Sequence, residues 1–228
     1  HFKTRTATNG KEALRVLEEE EISLVVSDVM MPEMNGFELC RTIKSQLPFS
    51  HIPVILLTAL TDERQRIFGI TGGADDYIQK PFHTDYVKIK IIHLLQERQK
   101  LRERLLEKLR DNKLLLSEPE KVESIDDAFL RKFAEQIEAV YADPEYNVEK
   151  LSETLGLSRG HLHRKIKELT GTAPVEFLRT YRLNKATQLL RQNAYTVSEV
   201  AYRTGFSSPA YFSKCFKAVY GVTPTEYQ

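Results

Sequence analysis

Two stretches of the C-terminal third repeat one another, and no other feature restricts the fold as much. Asn147-Val148…Leu151…Gly156-Leu157 matches Thr196-Val197…Val200…Gly205-Phe206 at an offset of 49 residues. One inserted residue moves the offset to 50. Ser158, Leu162, Arg164, Ile166, Lys167, Gly171, Pro174 and Phe177 then match Ser208, Phe212, Lys214, Phe216, Lys217, Gly221, Pro224 and Tyr227. Both copies follow one grammar. A capping side chain (Asn147, or Thr196 with Glu199 as a capping box) opens a helix of about nine residues. Gly156 or Gly205 ends it, where φ must turn positive. Ser158 or Ser208 caps the next helix, and Pro209 takes the first helical position, where no N–H is needed. Helix, tight glycine turn, helix, twice over, is a pair of helix-turn-helix motifs.

Charge agrees with that pattern. The whole chain is nearly neutral, with 33 Lys and Arg against 32 Asp and Glu. Residues 147–228 nevertheless hold twelve of the basic residues and only six of the acidic ones, a polyanion-facing bias. The second helix of each motif is expected in a major groove of double-stranded DNA. The exposed face is Arg159, Gly160, His163, Arg164 and Lys167 in the first copy, and Pro209, Ala210, Ser213, Lys214 and Lys217 in the second. Arg164 suits a bidentate contact to guanine. Lys167 and Lys217 lie farther along and suit phosphate. Leu162, Ile166, Phe212 and Phe216 form the core faces. His161 and His163 are two apart and point in different directions, a poor metal pair. Pro174–Arg191 reads as one helix of about 27 Å, a rigid spacer between recognition helices about 34 Å apart.

The N-terminal part follows other rules. Short β-branched runs alternate with helical patterns: strands at Phe2–Ala7, Ile22–Ser27, Pro53–Thr58 and Asp76–Gln79, helices at Lys11–Glu21, Gly36–Gln46 and Asp62–Thr71. That alternation implies a parallel α/β sheet, and the apolar strands imply cover on both faces. A helix from Thr84 runs toward Lys113, its start burying Val87, Ile91, Leu94 and Leu95 and its end carrying Leu101, Leu105 and Leu109. Leu114–Val122, with Pro119, reads as a hinge. Ser124 and Asp127 form a capping box ahead of the helix Ile125–Tyr141. The division is 1–96 α/β, 97–123 helical linker and hinge, and 124–228 all-α.

At 228 residues the chain can bury real cores, and 41% apolar with 29% charged residues is ordinary globular composition. The longest apolar run, Ile52–Leu57, is broken by Pro53 and too short for a bilayer. Cys40 and Cys215 stand far apart, which excludes a disulfide framework and fits a reducing, cytoplasmic compartment.

Asp28 closes one apolar strand, Thr58 the next and Lys80 the last, followed by Pro81-Phe82. Ligands of open α/β sheets bind at that edge. A lone strand-end aspartate is ordinarily a loop cap. Here a carboxylate, a hydroxyl and an ammonium converge: a nucleophile able to form an acyl phosphate, and two groups able to hold phosphoryl oxygens.

Those residues resemble the receiver domain of two-component response regulators. Ser27-Asp28-Val-Met-Met-Pro32-Glu-Met-Asn-Gly36, Leu57-Thr58-Ala59 and Gly73-Ala74-Asp-Asp-Tyr77-Ile-Gln-Lys80-Pro81-Phe82 match its three motifs. The resemblance implies a flavodoxin-like fold, Asp28 as phosphoacceptor, Thr58 and Tyr77 as switch residues, Lys80 as phosphate contact and a cis Lys80–Pro81 bond. It also implies Mg²⁺ at Asp28, held with an acidic pair at the end of a first strand. This sequence opens at the family's second strand and lacks that pair. Glu12 and Glu18–Glu21, on a surface helix, are poor substitutes. About 20–30 upstream residues are expected to supply the missing β-α unit. Residues 125–228 resemble the AraC-type DNA-binding domain, whose signature is matched by Phe212-Ser-Lys-Cys-Phe-Lys…Gly221-Val-Thr-Pro-Thr-Glu-Tyr227. Gly160, Pro209 and Ala210 stand where that family often carries larger or polar side chains, so base readout falls to His163, Arg164 and Lys214.

Together these imply a transcriptional regulator controlled by aspartyl phosphorylation. Its expected partners are a sensor histidine kinase (in cis or in trans), DNA, RNA polymerase and a second copy of itself upon phosphorylation. Ser50-His-Ile-Pro-Val-Ile-Leu-Leu-Thr-Ala59 looks like hybrid sensors, which would put the chain at the cytoplasmic side of the inner membrane. The alternative is a phosphorylation-independent DNA-binding regulator whose truncated or inert receiver serves as an interaction module. A phosphatase using the same chemistry would leave the repeat unexplained, and no spare domain is left for a small-molecule sensor, so no enzyme is expected.

Overall fold

Most of the described helices start at a side chain that takes over backbone N–H groups left without partners. A computed structural model of the chain describes residues 2–59, 73–110 and 124–228. The expected helix at 62–71 and hinge at 114–122 lie outside those residues. The chain divides into two compact units, His1–Leu101 and Arg102–Gln228.

In the first unit, Asn9 opens α1 (Gly10–Glu19) by accepting from the Glu12 N–H at 2.9 Å. Asn35 and Glu38 form a capping box for α2 (Gly36–Ser45). Strands β1 (Val25–Asp28), β2 (Val54–Thr58) and β3 (Asp76–Gln79) pair in parallel in the order β1-β2-β3. Asp28 lies opposite Leu57, and Thr58 opposite Gln79, so the three strands end at one edge. Val54, Ile55 and Leu56 are fully buried, so β2 is covered on both faces. Leu17, Leu39, Cys40, Ile43, Phe49 and Ile52 complete the core with Val54 and Leu56. Each such side chain contributes about 1.5–3 kcal/mol relative to exposure. α3 (Thr84–Arg110) follows β3.

Three expectations need correction. Phe2–Ala7 forms no strand, and Phe2 is exposed. No described strand lies beside that segment, and a ladder needs a partner on which to place its hydrogen bonds. β1 begins at Val25, not Ile22, and Val26 is exposed, because β1 is an edge of the sheet. Val87, Ile91, Leu94 and Leu95 on α3 are half-buried, while Tyr86, Ile89 and Ile92 are exposed. β3 is the other sheet edge, so the helix that follows it has little sheet to cover.

The second unit is helical throughout. α4 (Ile125–Val140) opens on the Ser124–Asp127 capping box. The first motif is α5 (Val148–Leu155) and α6 (Arg159–Thr170), capped by Asn147 and Ser158. α7 (Pro174–Arg191) joins it to α8 (Val197–Arg203) and α9 (Pro209–Tyr220), capped by Thr196 and Ser208. α10 (Pro224–Tyr227) ends the chain. Leu162, Ile166, Phe212 and Phe216 are fully buried, as the repeat predicts. α7 is the shared wall: Phe177 meets Phe133 of α4 edge-on at 4.7 Å, and Leu183, Ala186 and Leu190 join the core of the second motif.

Two of the polar contacts between these helices stand out. Lys165 of α6, with 0% of its surface exposed, pairs with Asp126 at 2.5 Å and lies over the Phe129 ring. Arg182 of α7 donates to the carbonyl oxygens of Tyr141 and Asp143 at 2.7 and 2.6 Å. The turn of the second motif rests on that contact. A Cβ on Gly205 would stand 2.1 Å from the Tyr141 oxygen, and its φ is +80°. Gly156 has φ +68° but nothing within 4 Å of the same position. Gly156→Ala is therefore expected to lose about 1–2 kcal/mol, the left-handed backbone cost alone. Gly205→Ala should lose about 1–3 kcal/mol more by overpacking. Chemical denaturation followed by circular dichroism checks the order.

Candidate functional site

Parallel pairing delivers Asp28, Thr58 and Lys80 to the C-terminal edge of the sheet. Lys80 forms an ion pair with Oδ2 of Asp28, and the Met30 N–H donates to Oδ1 at 3.1 Å. The Lys80 N–H donates to the Thr58 carbonyl at 2.7 Å, so Lys80 follows directly from the β2–β3 ladder. The Lys80–Pro81 peptide is cis, as expected.

The loop after Asp28 is held in place. Glu33 has φ +61°, a backbone state that costs a non-glycine residue about 1–3 kcal/mol. Its carboxylate accepts from Asn9 at 3.2 Å and faces Lys11 at 3.4 Å. Gly36 closes the loop, where a Cβ would lie 2.2 Å from the Asp28 carbonyl oxygen.

The Lys80 ammonium holds the Asp28 carboxyl below the usual carboxylate range, against the opposing pull of partial burial. The Asp28 carboxylate is thus ionised at neutral pH, and about 36% of its side chain remains exposed. Thr58 is half-buried at the end of β2. Tyr77 packs against the core cluster, and burial pushes its hydroxyl up to about 12. The structure therefore brings Asp28 and Lys80 into contact, sets Thr58 on the same edge by register, and turns Tyr77 toward the core.

Mg²⁺ asks for several oxygen ligands around one point. Among the described residues no group of three or more His, Cys, Asp or Glu side chains is placed to hold a metal ion. Glu12 binds the Thr8 N–H and hydroxyl at 2.7 and 2.6 Å. The described residues do not complete a Mg²⁺ site.

In the second unit, Arg159, Gly160 and Lys167 of α6 are exposed, and His163 and Arg164 are half-buried. On α9, Ala210, Lys214 and Lys217 are exposed, and Pro209 and Ser213 are half-buried. The Ser213 hydroxyl donates to the Pro209 carbonyl at 2.9 Å. Glu149 of α5 holds Arg159 at 2.8 Å.

Sequence reasoning missed three residues here. Lys165 falls on the buried stripe of α6, and its repeat partner at an offset of 50 is buried Cys215, a clue the alignment already contained. Tyr211, in register with His161, is 52% exposed near the start of α9. Arg179 of α7 pairs with Glu176 at 3.0 Å, and a hydrogen bond with Tyr211 stabilises its charged form. No sequence signal pairs Arg179 with Tyr211, because the contact depends on how α7 meets the second motif.

Lys80→Ala should raise the Asp28 pKa toward the free value of about 3.9, read by carboxyl ¹³C titration. The sign for stability follows. A lowered native pKa contributes stability above the unfolded pKa, and that stability is lost as pH falls through the native value. Lys80→Ala should remove this acid-side dependence, and an unchanged titration would leave Lys80 without the assigned effect.

Comparison with known proteins matches both units. A response regulator receiver domain model matches residues 1–92, and a helix-turn-helix domain model matches residues 151–228. The chain is 40% identical over 222 residues to Histidine kinase P4 of Formosa agariphila, across 97% of this chain and 16% of that protein. It is 42% identical over 98 residues to Transcriptional regulatory protein GltR of Pseudomonas aeruginosa, across 43% of this chain and 40% of that one. The C-terminal domain of the two-component response regulator yesN from Fusobacterium nucleatum overlays with a TM-score of 0.41 at 34% identity, across 42% of this chain and 92% of that one. The chain thus spans about one sixth of the first relative and two fifths of the second. Among the described residues no helix is long and apolar enough to cross a membrane. The chain joins a response regulator receiver domain to an AraC-type helix-turn-helix domain.

Proposed function

We propose that this chain is a sequence-specific DNA-binding transcriptional regulator governed by phosphorylation of Asp28. The observation that carries the first half is the Asp28–Lys80 pair at the C-terminal edge of a parallel sheet. An ionised Asp28 oxygen attacks the phosphorus of a phosphohistidine or small phosphodonor. The bond from phosphorus to the donor breaks, and an acyl phosphate forms. Lys80 then moves its charge from the carboxylate to a phosphoryl oxygen, and the Thr58 hydroxyl donates to another. Tyr77, already packed against the core, can settle further inward as Thr58 moves. The exposed Tyr86, Ile89 and Ile92 of α3 offer a surface for self-association, and pairing would raise DNA affinity through effective concentration.

The 97% overlap of this chain with a small part of a histidine kinase supports a kinase donor within the same polypeptide. The unit boundaries proposed are 1–96 for the receiver, 97–123 for the linker and 124–228 for DNA binding. Arg159, Gly160, His163 and Arg164 of α6, with Pro209, Ala210, Ser213 and Lys214 of α9, would face base edges, and Lys167 and Lys217 would hold phosphates. RNA polymerase is the proposed neighbour on the promoter, and the reading includes no enzymatic activity. A second reading keeps DNA binding without phosphorylation, with the receiver serving as an interaction module.

Intact mass with Mg²⁺ and a small phosphodonor separates the two. A gain of about 80 Da that disappears in Asp28→Ala supports phosphorylation control. No gain selects the second reading. For DNA, Arg164→Ala should cost about 1–3 kcal/mol at one base pair, while Lys167→Ala should weaken all sequences alike. Quantitative binding across a base-substitution series reads both.

A further inference from the structure

A cleft of about 290 Å³ opens between the two helix-turn-helix motifs. Its lining brings together Arg159 at the start of α6, Tyr211 near the start of α9, and Arg179 and Arg182 of α7. Three guanidinium groups face a single lining carboxylate, Glu149, which is already paired with Arg159. Arg182 has two donors committed to backbone carbonyls, and Arg179 is committed to Glu176 and to the Tyr211 hydroxyl. An arginine carries five donors, so both keep capacity for an anion.

Two further observations point to a missing acceptor. The Tyr146 hydroxyl, on the same lining, is buried with no hydrogen-bond partner. The cleft also reaches Val175, in the first turn of α7. Ser124, Asn147, Ser158, Thr196, Ser208 and Thr223 cap the other described helices of this unit, but Ala173 gives α7 no side-chain acceptor. A phosphate oxygen accepts from such N–H groups as a cap would.

Position decides which anion. Arg159 and Tyr211 put the cleft between the N-terminal ends of the two recognition helices, the ends that approach base edges in a major groove. With those helices in successive grooves, the strand between them passes the cleft. We infer that the cleft seats one backbone phosphate of the DNA between the two half-sites, with Arg179 as its principal cation. This rests on the DNA-binding reading above. The same chemistry suits a free phosphorylated small molecule, so the test separates the two sources.

The experiment uses the whole 228-residue chain and a duplex selected by it from random sequence. Each phosphate between the half-sites is replaced in turn by a neutral methylphosphonate. One position should weaken binding about tenfold. Arg179→Gln should weaken binding similarly, reduce the salt slope by about one and leave base preference intact. On the duplex neutralised at that position, Arg179→Gln should have no further effect. Independent, multiplying losses overturn the assignment, as does an unaffected Arg179→Gln in a chain where Lys167→Ala still weakens binding. Arg179→Lys, which keeps the charge, should restore the salt slope and so separates loss of contact from loss of fold. Inorganic phosphate titrated without DNA is the other arm. Saturable binding lost in Arg179→Gln, with DNA affinity unchanged, would assign the cleft to a small phosphorylated ligand and overturn the DNA proposal. A chain that selects no DNA removes the underlying reading and this site with it.

Discussion

Arg182 carries the helical unit. From the middle of α7 its guanidinium satisfies the carbonyls at the end of α4, and the Gly205 turn closes against the same point. Burial works against its charge, yet two backbone acceptors keep it in place. Charge-assisted bonds of this kind are roughly twice as strong as neutral ones. The spacing of the two motifs therefore depends on a polar contact inserted between apolar cores, and a methyl group at residue 205 has no place to go.

Much of this architecture was legible because its signals are local. Caps at Asn147, Ser158, Thr196 and Ser208 can be read from short spacings, and α7 and β3 have the bounds that their patterns predict. The Asp28–Lys80 pair was legible too, since strand ends in a parallel sheet share an edge. What escaped was tertiary. Phe2–Ala7 has strand composition but no described neighbour. The sequence shows α3 as amphipathic without showing that it follows an edge strand. Arg182, Arg179 and Tyr211 look like ordinary surface residues until α7 is packed.

The receiver unit places opposite electrostatic regimes twelve residues apart. Asp28 sits at an open edge beside a cation and stays ionised. Cys40, in the core beneath, is pushed up to about 11 by burial and stays a neutral thiol. The ionised oxygen is thereby at the exposed edge, while the buried sulfur stays protonated.

The second helices of the two helix-turn-helix motifs are unlike. α6 presents Arg159, His163 and Arg164, whereas α9 begins with Pro209, Ala210 and Ser213. They also follow one another along a single chain, so no twofold axis relates them. A DNA duplex has a dyad in its backbone at every base pair, and palindromic targets extend that symmetry to the bases. A reader with no dyad breaks it. Seated on DNA, one copy of this chain would give the duplex a left and a right, and whatever binds beside it would meet only one of the two.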